Sequence, residues 1–222
     1  MVIFLGSYIR DFLSTLQKAL ILAMNKVPVP FSPPNFRPIA LLCFLSKILE
    51  KLAQNQIVSY LVANKILDPL QAGFRRHEST ETALLKLTDD IRLAMDRKYV
   101  TVLLPFDFSE TFDTISPSRL LTKLKDMGFS KSALSWIHSF LTSRSQCVIF
   151  HSTTSESLDT NLGVPQGSVL GPLRFCFYVN DLHLHLRDPN VFRILYADDL
   201  QIYVYISLNR VMEEITSLFA AV

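Results

Sequence analysis

The chain has 222 residues, of which 49% are apolar, 19% are charged and only 6 are glycine. This composition excludes a disordered or collagen-like chain and predicts a folded protein with a sizeable core. Three cysteines lie far apart in the sequence and form no CxxC pair, which argues against a disulfide scaffold or a zinc site. We expect no membrane-spanning helix, because no stretch approaches the roughly 18 apolar residues that one needs.

The charge is distributed unevenly between the two halves of the chain. Residues 1–98 hold 13 Lys and Arg against 8 Asp and Glu, whereas residues 99–222 hold 9 against 12. A basic half suits a polyanion and an acidic half suits cations. The N-terminus lacks a basic segment before its short apolar run, so we expect no secretory signal and an intracellular protein.

Apolar residues at helical spacing predict three helices in residues 1–98. The second runs from about Leu49 to Leu61. The third follows Ser79 as its cap, and its expected buried stripe includes Leu84 and Met95. The first helix is expected at Ile9, Phe12, Leu13, Leu16 and Leu20. Between the first two, the proline-rich stretch VPVPFSPPNFRP at 27–38 is predicted to be an extended connector.

From residue 99 onward, strands and helices are predicted to alternate. The Val- and Leu-rich run from Tyr99 to Phe106 is typical of a strand buried on both faces, and it ends at Asp107. Two helices are expected after Ser116 and Ser130, followed by a strand over 146–150 and an interrupted helix over 167–186. The last predicted element is a hairpin with arms at 192–197 and 200–206.

Three carboxylates stand at the ends of these apolar runs: Asp107 after the first strand, and Asp198 with Asp199 at the hairpin bend. Such groups repel one another and lose hydration unless cations neutralise them. Oxygen ligands of this kind favour Mg²⁺. An isolated Asp-Asp pair is also typical of a polar hairpin tip, but the flanking apolar arms favour a cation site where the three side chains converge.

Several segments resemble the reverse transcriptases of non-LTR, LINE-type retrotransposons of the jockey-like kind. FDFSETFDTI at 106–115, GVPQGSVLGPL at 163–173 and LYADDLQIY at 195–203 are similar to three palm motifs of that family. RPIALL at 37–42, LSKILEK at 45–51 and QAGFRRHESTETALLKLTDDI at 71–91 resemble its finger-region blocks. These six blocks occur in the family's order.

The resemblance implies an α+β fold of the right-hand polymerase type. Residues 1–98 are expected to form a helical, fingers-like region, and residues 99–222 a palm whose antiparallel sheet packs on helices. Since the sequence ends about 20 residues after the YADD hairpin, the thumb is expected to be missing, and so is the upstream endonuclease.

The resemblance also implies an RNA-directed DNA polymerase that transfers a nucleotide from a dNTP to a primer 3′-hydroxyl. Asp107, Asp198 and Asp199 are expected to be catalytic and to hold two Mg²⁺ ions, with Mn²⁺ as an alternative; Asp199 is the less direct ligand. Phe112 is similar to the residue that excludes a ribose 2′-hydroxyl, Gln166 to a contact of the incoming nucleotide, and Arg75 to a triphosphate contact. The implied partners are an RNA template, a DNA primer and the dNTP, with no membrane, in the nucleus or cytoplasm.

The sequence departs from the family's pattern at three places. Glu110 adds a negative charge near the expected triphosphate path, Pro105 lacks an N–H in a strand expected to be central, and Arg174 replaces an apolar residue. Arg174 must therefore either reach the surface or be buried at a cost. A catalytically inactive fragment or a nucleic-acid-binding remnant stays open as an alternative. An RNA-directed RNA polymerase is disfavoured, because its turn usually carries Gly before the Asp pair.

Overall fold

The computed structural model describes residues 16–73, 75, 78–108, 114–160, 163, 166–186, 190–213 and 216. The helices in this part of the chain are α1 (Phe44–Asn64), α2 (Thr80–Asp96), α3 (Pro117–Asp126), α4 (Lys131–Leu141), α5 (Gly171–Val179) and α6 (Leu182–His185). The strands are β1 (Lys18–Asn25), β2 (Phe36–Leu41), β3 (Tyr99–Asp107), β4 (Arg144–Phe150), β5 (Thr153–Thr154), β6 (Leu158–Thr160), β7 (Val191–Tyr196) and β8 (Asp199–Ser207). The fold is therefore α+β, as predicted.

The chain divides into two compact units, and each is discontinuous in sequence. The first comprises residues 1–67 and 110–178, and the second comprises residues 68–109 and 179–222. These units divide the chain differently from the predicted boundary at residue 98, because α2, which precedes that residue, packs on β7 and β8, which follow it. The division into a fingers-like region and a palm stays a prediction. The helices of the described residues include none that is long and apolar enough to cross a membrane.

The first unit contains a sheet in the order β2-β1-β4-β5, with β6 also paired to β4. Strand β1 is antiparallel to β2 and parallel to β4, so Leu20 lies opposite both Leu41 and Cys147. The helix expected at Leu20 is therefore wrong. Ala19 and Ile21 are the buried positions of β1, and pairing with two neighbouring strands decides its conformation. The rest of that expected helix, at Ile9, Phe12 and Leu13, lies outside the described residues.

Helices α3 and α4 begin directly after their predicted caps, whereas α1 begins five residues before its predicted start and ends three residues after its predicted end. Ala53, Ile57 and Leu61 form the buried stripe of α1. The Ser130 hydroxyl accepts a hydrogen bond from Ala133 N at 3.3 Å and caps α4 as predicted. Ser116 occupies the N-cap position of α3 without making such a bond. The predicted connector is extended only in part, because Pro33–Asn35 form a short 3-10 helix directly before β2 begins at Phe36.

Glu50 on α1 is fully buried, with 0% of its surface exposed. Its carboxylate accepts hydrogen bonds from Ser168 Oγ at 2.5 Å, from Leu170 N at 3.0 Å and from Ser46 Oγ at 3.3 Å. These bonds tie α1 to residues 168–170, directly after the VPQG motif. Glu50 therefore anchors that motif's C-terminal side within the first unit.

Two buried arginines face the Glu50 charge. Arg144 and Arg174 are only 4% and 3% exposed, and Arg174 lies over the Phe140 ring at 4.3 Å from its centroid. The pKa of Arg174 is lowered to about 9, mainly by burial and to a smaller degree by the Arg144 charge, and the Glu50 carboxylate partly opposes this shift. Of the two alternatives predicted for Arg174, burial is the one that the structure adopts.

The second unit contains an antiparallel sheet in the order β3-β8-β7. The predicted hairpin is present, with Ala197 and Asp198 between its strands and Asp199 as the first residue of β8. The expectation that β3 is buried on both faces is wrong: within the described sheet it is an edge strand, and Leu103 and Phe106 are 39% and 47% exposed. The edge position also accommodates Pro105, which cannot donate to a ladder.

Helix α2 packs on one face of this sheet. Leu87 of α2 forms a buried cluster with Ile194 of β7 and Tyr203 of β8. The helix begins as predicted, because the Ser79 hydroxyl accepts a hydrogen bond from Thr82 N at 3.2 Å. Leu84 and Met95, which were expected in the buried stripe, are exposed. The face of α2 that is buried against the sheet is therefore narrower than the sequence pattern predicted.

We expect the substitution Tyr203→Phe to lower the free energy of unfolding by about 1.5–3 kcal/mol at pH 7, as for other hydrogen bonds to charged groups. The Tyr203 hydroxyl donates to the Asp90 carboxylate, and the side chain is 1% exposed. Burial and the Asp90 carboxylate raise the pKa of Tyr203 above its usual 10.0. The folded state therefore holds this proton more tightly, so the contribution is complete below pH 10 and is lost as the pH rises further.

Urea unfolding of wild type and Tyr203→Phe between pH 7 and pH 11 checks this. The stability difference should shrink above about pH 10, by up to about 1.4 kcal/mol per pH unit. Tyr60→Phe is the control, because Tyr60 Oη donates to the uncharged Met127 carbonyl at 3.0 Å. A difference for Tyr203→Phe that stays constant up to pH 11 would contradict the assignment.

Candidate active site

The pairing of β3 with β8 brings the predicted acidic residues to one end of the sheet. The ladder runs without interruption from Tyr99 opposite Ser207 to Asp107 opposite Asp199. Just beyond it, Phe108 N approaches the Asp198 carbonyl oxygen at 3.5 Å. The backbone of Asp107 therefore lies next to those of Asp198 and Asp199, about 90 positions later in the sequence.

The register determines which carboxylates share a face. Residues directly opposite in an antiparallel pair project to the same side, with Cβ atoms about 4.5–5.5 Å apart. Asp107 is aligned in this way with Asp199, whereas Asp198 lies in the turn. Among the described residues, no three His, Cys, Asp or Glu side chains are grouped closely enough to hold a metal ion. The convergence of all three carboxylates stays a prediction.

The charges at this end of the sheet favour a cation. Asp107 and Asp199 are exposed and Asp198 is half-buried. Two like charges directly opposite in a ladder destabilise a sheet, and a bound cation would remove that repulsion. Mg²⁺ is typically held by one or two carboxylates, with water and substrate phosphates completing its octahedron. The donor set of Asp107 and Asp199 therefore fits Mg²⁺.

The turn that carries Asp198 has an unusual backbone. Ala197 has φ +55°, a left-handed conformation that costs a residue with a Cβ atom about 1–2 kcal/mol. Two-residue hairpin turns of the favoured types require a positive φ at their first central position. A tight connection between β7 and β8 therefore imposes this conformation on Ala197.

A short segment of the QAGF motif lies along β7 next to this turn. Leu195 N donates to Leu70 O at 3.0 Å, and Ala72 N donates to Leu195 O at 2.8 Å. Gln71 forms an isolated parallel bridge with Leu195. The segment 70–73 thus extends the hydrogen bonding of the hairpin beyond β7.

Two residues of this segment contact the turn itself. Gln71 Nε2 donates to the Ala197 carbonyl oxygen at 3.3 Å, and its Oε1 accepts from Gly73 N at 3.0 Å. A Cβ atom on Gly73 would lie 1.9 Å from Ala197 N, so only glycine fits there. The sequence motif did not predict the contacts of Gln71 and Gly73 with the turn. The glycine in the motif could have indicated a close backbone approach at this position.

Arg75 stabilises the same segment. Its Nη1 donates to the carbonyl oxygens of Asp68 at 2.9 Å and Gln71 at 3.2 Å. The Asp68 carboxylate accepts from Arg193 Nη2 at 2.7 Å and from Leu70 N at 3.0 Å. Arg75 Nη1 is therefore engaged within the protein, and a triphosphate contact by Arg75 stays a prediction.

The VPQG motif lies in the first unit. Ala40 N on β2 donates to the Gln166 carbonyl oxygen at 2.6 Å. Gly167 has φ +114°, and a Cβ atom there would lie 2.6 Å from Ala40 O. Gly167 therefore makes a close backbone approach to Ala40. Phe112 and Glu110 lie outside the described residues.

Comparison with known families identifies the class of protein. The family model described as "Reverse transcriptase (RNA-dependent DNA polymerase)" matches residues 24–221, so the chain belongs to the reverse transcriptase family. Its curated relatives are polymerases of non-LTR retrotransposons, which confirms the resemblance described from the sequence motifs.

Two of these relatives are from Drosophila melanogaster. The chain is 37% identical over 150 residues to "Probable RNA-directed DNA polymerase from transposon X-element", covering 68% of this chain and 16% of that protein. It is 30% identical over 189 residues to "RNA-directed DNA polymerase from mobile element jockey", covering 82% and 20%. The chain thus spans about a fifth of the length of these relatives.

A solved structure with a similar fold is telomerase from Candida tropicalis, determined with a fragment of telomeric RNA. The TM-score is 0.61 at 14% sequence identity, over 91% of this chain and 38% of that chain. At this identity the similarity concerns the fold. It agrees with the α+β arrangement of a reverse transcriptase fingers and palm.

Proposed function

We propose that this chain is the fingers and palm portion of an RNA-directed DNA polymerase that extends a DNA primer on an RNA template. The finger-region blocks lie before residue 98 and the palm motifs after it. The observation that carries the proposal is the uninterrupted β3–β8 ladder, which aligns Asp107 with Asp199 beside the turn at Asp198. Family membership supports the same reaction class.

In this proposal Asp107, Asp198 and Asp199 hold two Mg²⁺ ions, and Mn²⁺ is able to replace them. The bound ions supply charge stabilisation to the attacking and leaving oxygens of an in-line phosphoryl transfer. The primer 3′-hydroxyl attacks the α-phosphate of the dNTP, its proton passes to water, and pyrophosphate leaves. The three carboxylates hold the charge at one end of the sheet, so positioning and electrostatics supply the catalysis.

The remaining site residues are proposed to bind the nucleotide. Phe112 excludes a ribose 2′-hydroxyl, Gln166 contacts the incoming nucleotide, and Arg75 contacts its phosphates through guanidinium nitrogens other than Nη1. An arginine fork suits phosphate oxygens. The RNA template and DNA primer are bound by the excess of Lys and Arg in residues 1–98, which makes binding sensitive to salt. We place this reaction inside the cell.

The test is primer extension on an RNA template with dNTPs, with and without Mg²⁺. We expect extension only with the metal, and a decrease of roughly 10³-fold or more in Asp198→Asn, because several kcal/mol of charge stabilisation depend on this site. Asp159→Asn on β6 is the matched control, since it removes an exposed carboxylate of the first unit. Equal loss in both variants, or no loss in Asp198→Asn, would contradict the assigned site.

The alternative is a nucleic-acid-binding remnant without polymerase activity, and Glu110 is the observation that favours it. The family resemblance places this carboxylate near the expected triphosphate path, where it would repel the nucleotide. Folded protein that binds single-stranded RNA in a salt-sensitive way, yet extends no primer with Mg²⁺ or Mn²⁺, would establish this alternative. Extension that increases in Glu110→Lys would instead support the polymerase with a weakened nucleotide site.

A further inference from the structure

We propose that Gln71 is a positioning residue that orients the Asp198 turn for metal binding, an inference that rests on the proposed function. The Gln71 side chain is 3% exposed, and both ends of its amide are hydrogen-bonded within the second unit. Neither bond involves a substrate or a carboxylate. The residue therefore acts through the backbone of the turn.

The two hydrogen bonds also determine the orientation of the Gln71 amide. Gly73 N–H can only donate, so the amide atom that faces it at 3.0 Å is the oxygen. The Ala197 carbonyl can only accept, so the atom that faces it at 3.3 Å is the nitrogen. The amide cannot rotate by 180° without losing both bonds, and it presents a fixed donor to the turn.

The bond acts on the peptide group that precedes Asp198. The Ala197 carbonyl belongs to the planar unit that joins Ala197 to Asp198, so a donor on its oxygen restricts the rotation of that plane. This rotation sets ψ of Ala197 and φ of Asp198, and hence the direction of the Asp198 side chain. Because Ala197 already has φ +55°, the turn depends on such surrounding contacts to keep one conformation.

The donor is itself held in register with the hairpin. Gln71 bridges Leu195, and the flanking Leu70 and Ala72 both bond to Leu195, two residues before the turn. The Gln71 amide therefore stays at a constant distance from the end of β7. Because residues 70–72 are hydrogen-bonded to β7, the Gln71 donor keeps its position relative to that strand. The bond to Ala197 O therefore restrains the turn relative to β7.

Two variants separate this role from general packing. Gln71→Met keeps the length and removes both hydrogen bonds, whereas Gln71→Glu keeps the acceptor for Gly73 N and removes the donor to Ala197 O. Gln54→Met is the matched control, because Gln54 Nε2 also donates to a carbonyl oxygen at 3.3 Å, that of Val169 in the first unit. All three variants remove a Gln-to-carbonyl bond, and only the first two affect the turn.

The first measurement is amide hydrogen exchange of the peptide spanning residues 195–200, which needs no activity. We expect exchange to rise about tenfold in Gln71→Met and Gln71→Glu and to stay unchanged in Gln54→Met, in line with the loss of one hydrogen bond. Unchanged exchange in the Gln71 variants would overturn the proposal. An equal rise throughout both units would also overturn it, because that pattern indicates general destabilisation.

The second measurement is single-nucleotide primer extension. We expect kcat to fall at least tenfold in both Gln71 variants, while KM for the dNTP changes less than about twofold, because only the carboxylate geometry is altered. Wild-type activity in Gln71→Glu would overturn the proposal, since that variant lacks the donor. If the wild-type chain extends no primer, the proposed function fails, and hydrogen exchange still decides the role of Gln71.

Discussion

Replacement of Glu50 by glutamine is expected to lower the free energy of unfolding by about 1–3 kcal/mol, because it removes a buried negative charge and at least one hydrogen bond that the carboxylate accepts. Glu50 is 0% exposed, and its carboxylate is the negative charge that opposes the effect of burial on the pKa of Arg144 and Arg174. Without it, two arginines that are 4% and 3% exposed keep their charge in an apolar region. Glutamine retains the shape but replaces one acceptor oxygen with an NH₂ group, so the loss combines the charge with a hydrogen bond.

Urea unfolding of the single and double variants distinguishes the contribution of the Glu50 charge to stability from that of the Arg174 charge. Glu50→Gln combined with Arg174→Leu should recover part of the lost stability, because leucine removes one of the two buried positive charges that Glu50 opposes. Glu156→Gln serves as the exposed control and should change stability by less than about 0.5 kcal/mol. If Glu50→Gln costs less than about 1 kcal/mol, the carboxylate is not the counter-charge of these arginines.

The substitution Gly73→Ala is expected to reduce primer extension by roughly 100-fold, as a misplacement of about 1 Å does in other active sites. The new Cβ atom would lie 1.9 Å from Ala197 N and 2.5 Å from Ala197 Cα. These are backbone atoms, so no side-chain rotation relieves the clash, and the turn next to Asp198 must move. We also expect a loss of about 1–3 kcal/mol in stability, typical of overpacking.

Gly128→Ala provides the control for a destabilising substitution that lies away from the turn. Gly128 has φ +83°, and its Cβ atom would meet only the Tyr60 hydroxyl, at 2.7 Å, in the first unit. We expect this variant to lose stability to a similar degree and to keep its rate of primer extension. Thermal unfolding and extension assays at a temperature where both variants are folded make the comparison. Full activity in Gly73→Ala would show that the turn tolerates displacement.

Elements whose signals are local were predicted well from the sequence. Ser79 and Ser130 cap their helices through N–H groups three residues away, and these bonds depend on nothing outside the first turn. The alternating apolar residues of β7 and β8 identified the hairpin for the same reason. In each case the determining contacts lie within a few residues of the signal.

Burial was predicted less well, because it depends on distant partners. The apolar run of β3 is as hydrophobic as a central strand, yet β3 pairs only with β8 among the described strands and remains exposed at Leu103 and Phe106. Leu20 fits helical spacing, yet pairing with β2 and β4 makes it part of a strand. Sequence periodicity does not specify how many neighbours a segment acquires.

The sequence by itself determined the family, the α+β class and the identity of the three acidic residues, because motif strings and local periodicity suffice for these. Only the tertiary structure decided that Asp107 aligns with Asp199, and that Gln71 and Gly73 contact the turn at Ala197. These relations join segments about 90 to 125 positions apart. They follow from strand register and close packing, which a one-dimensional pattern does not encode.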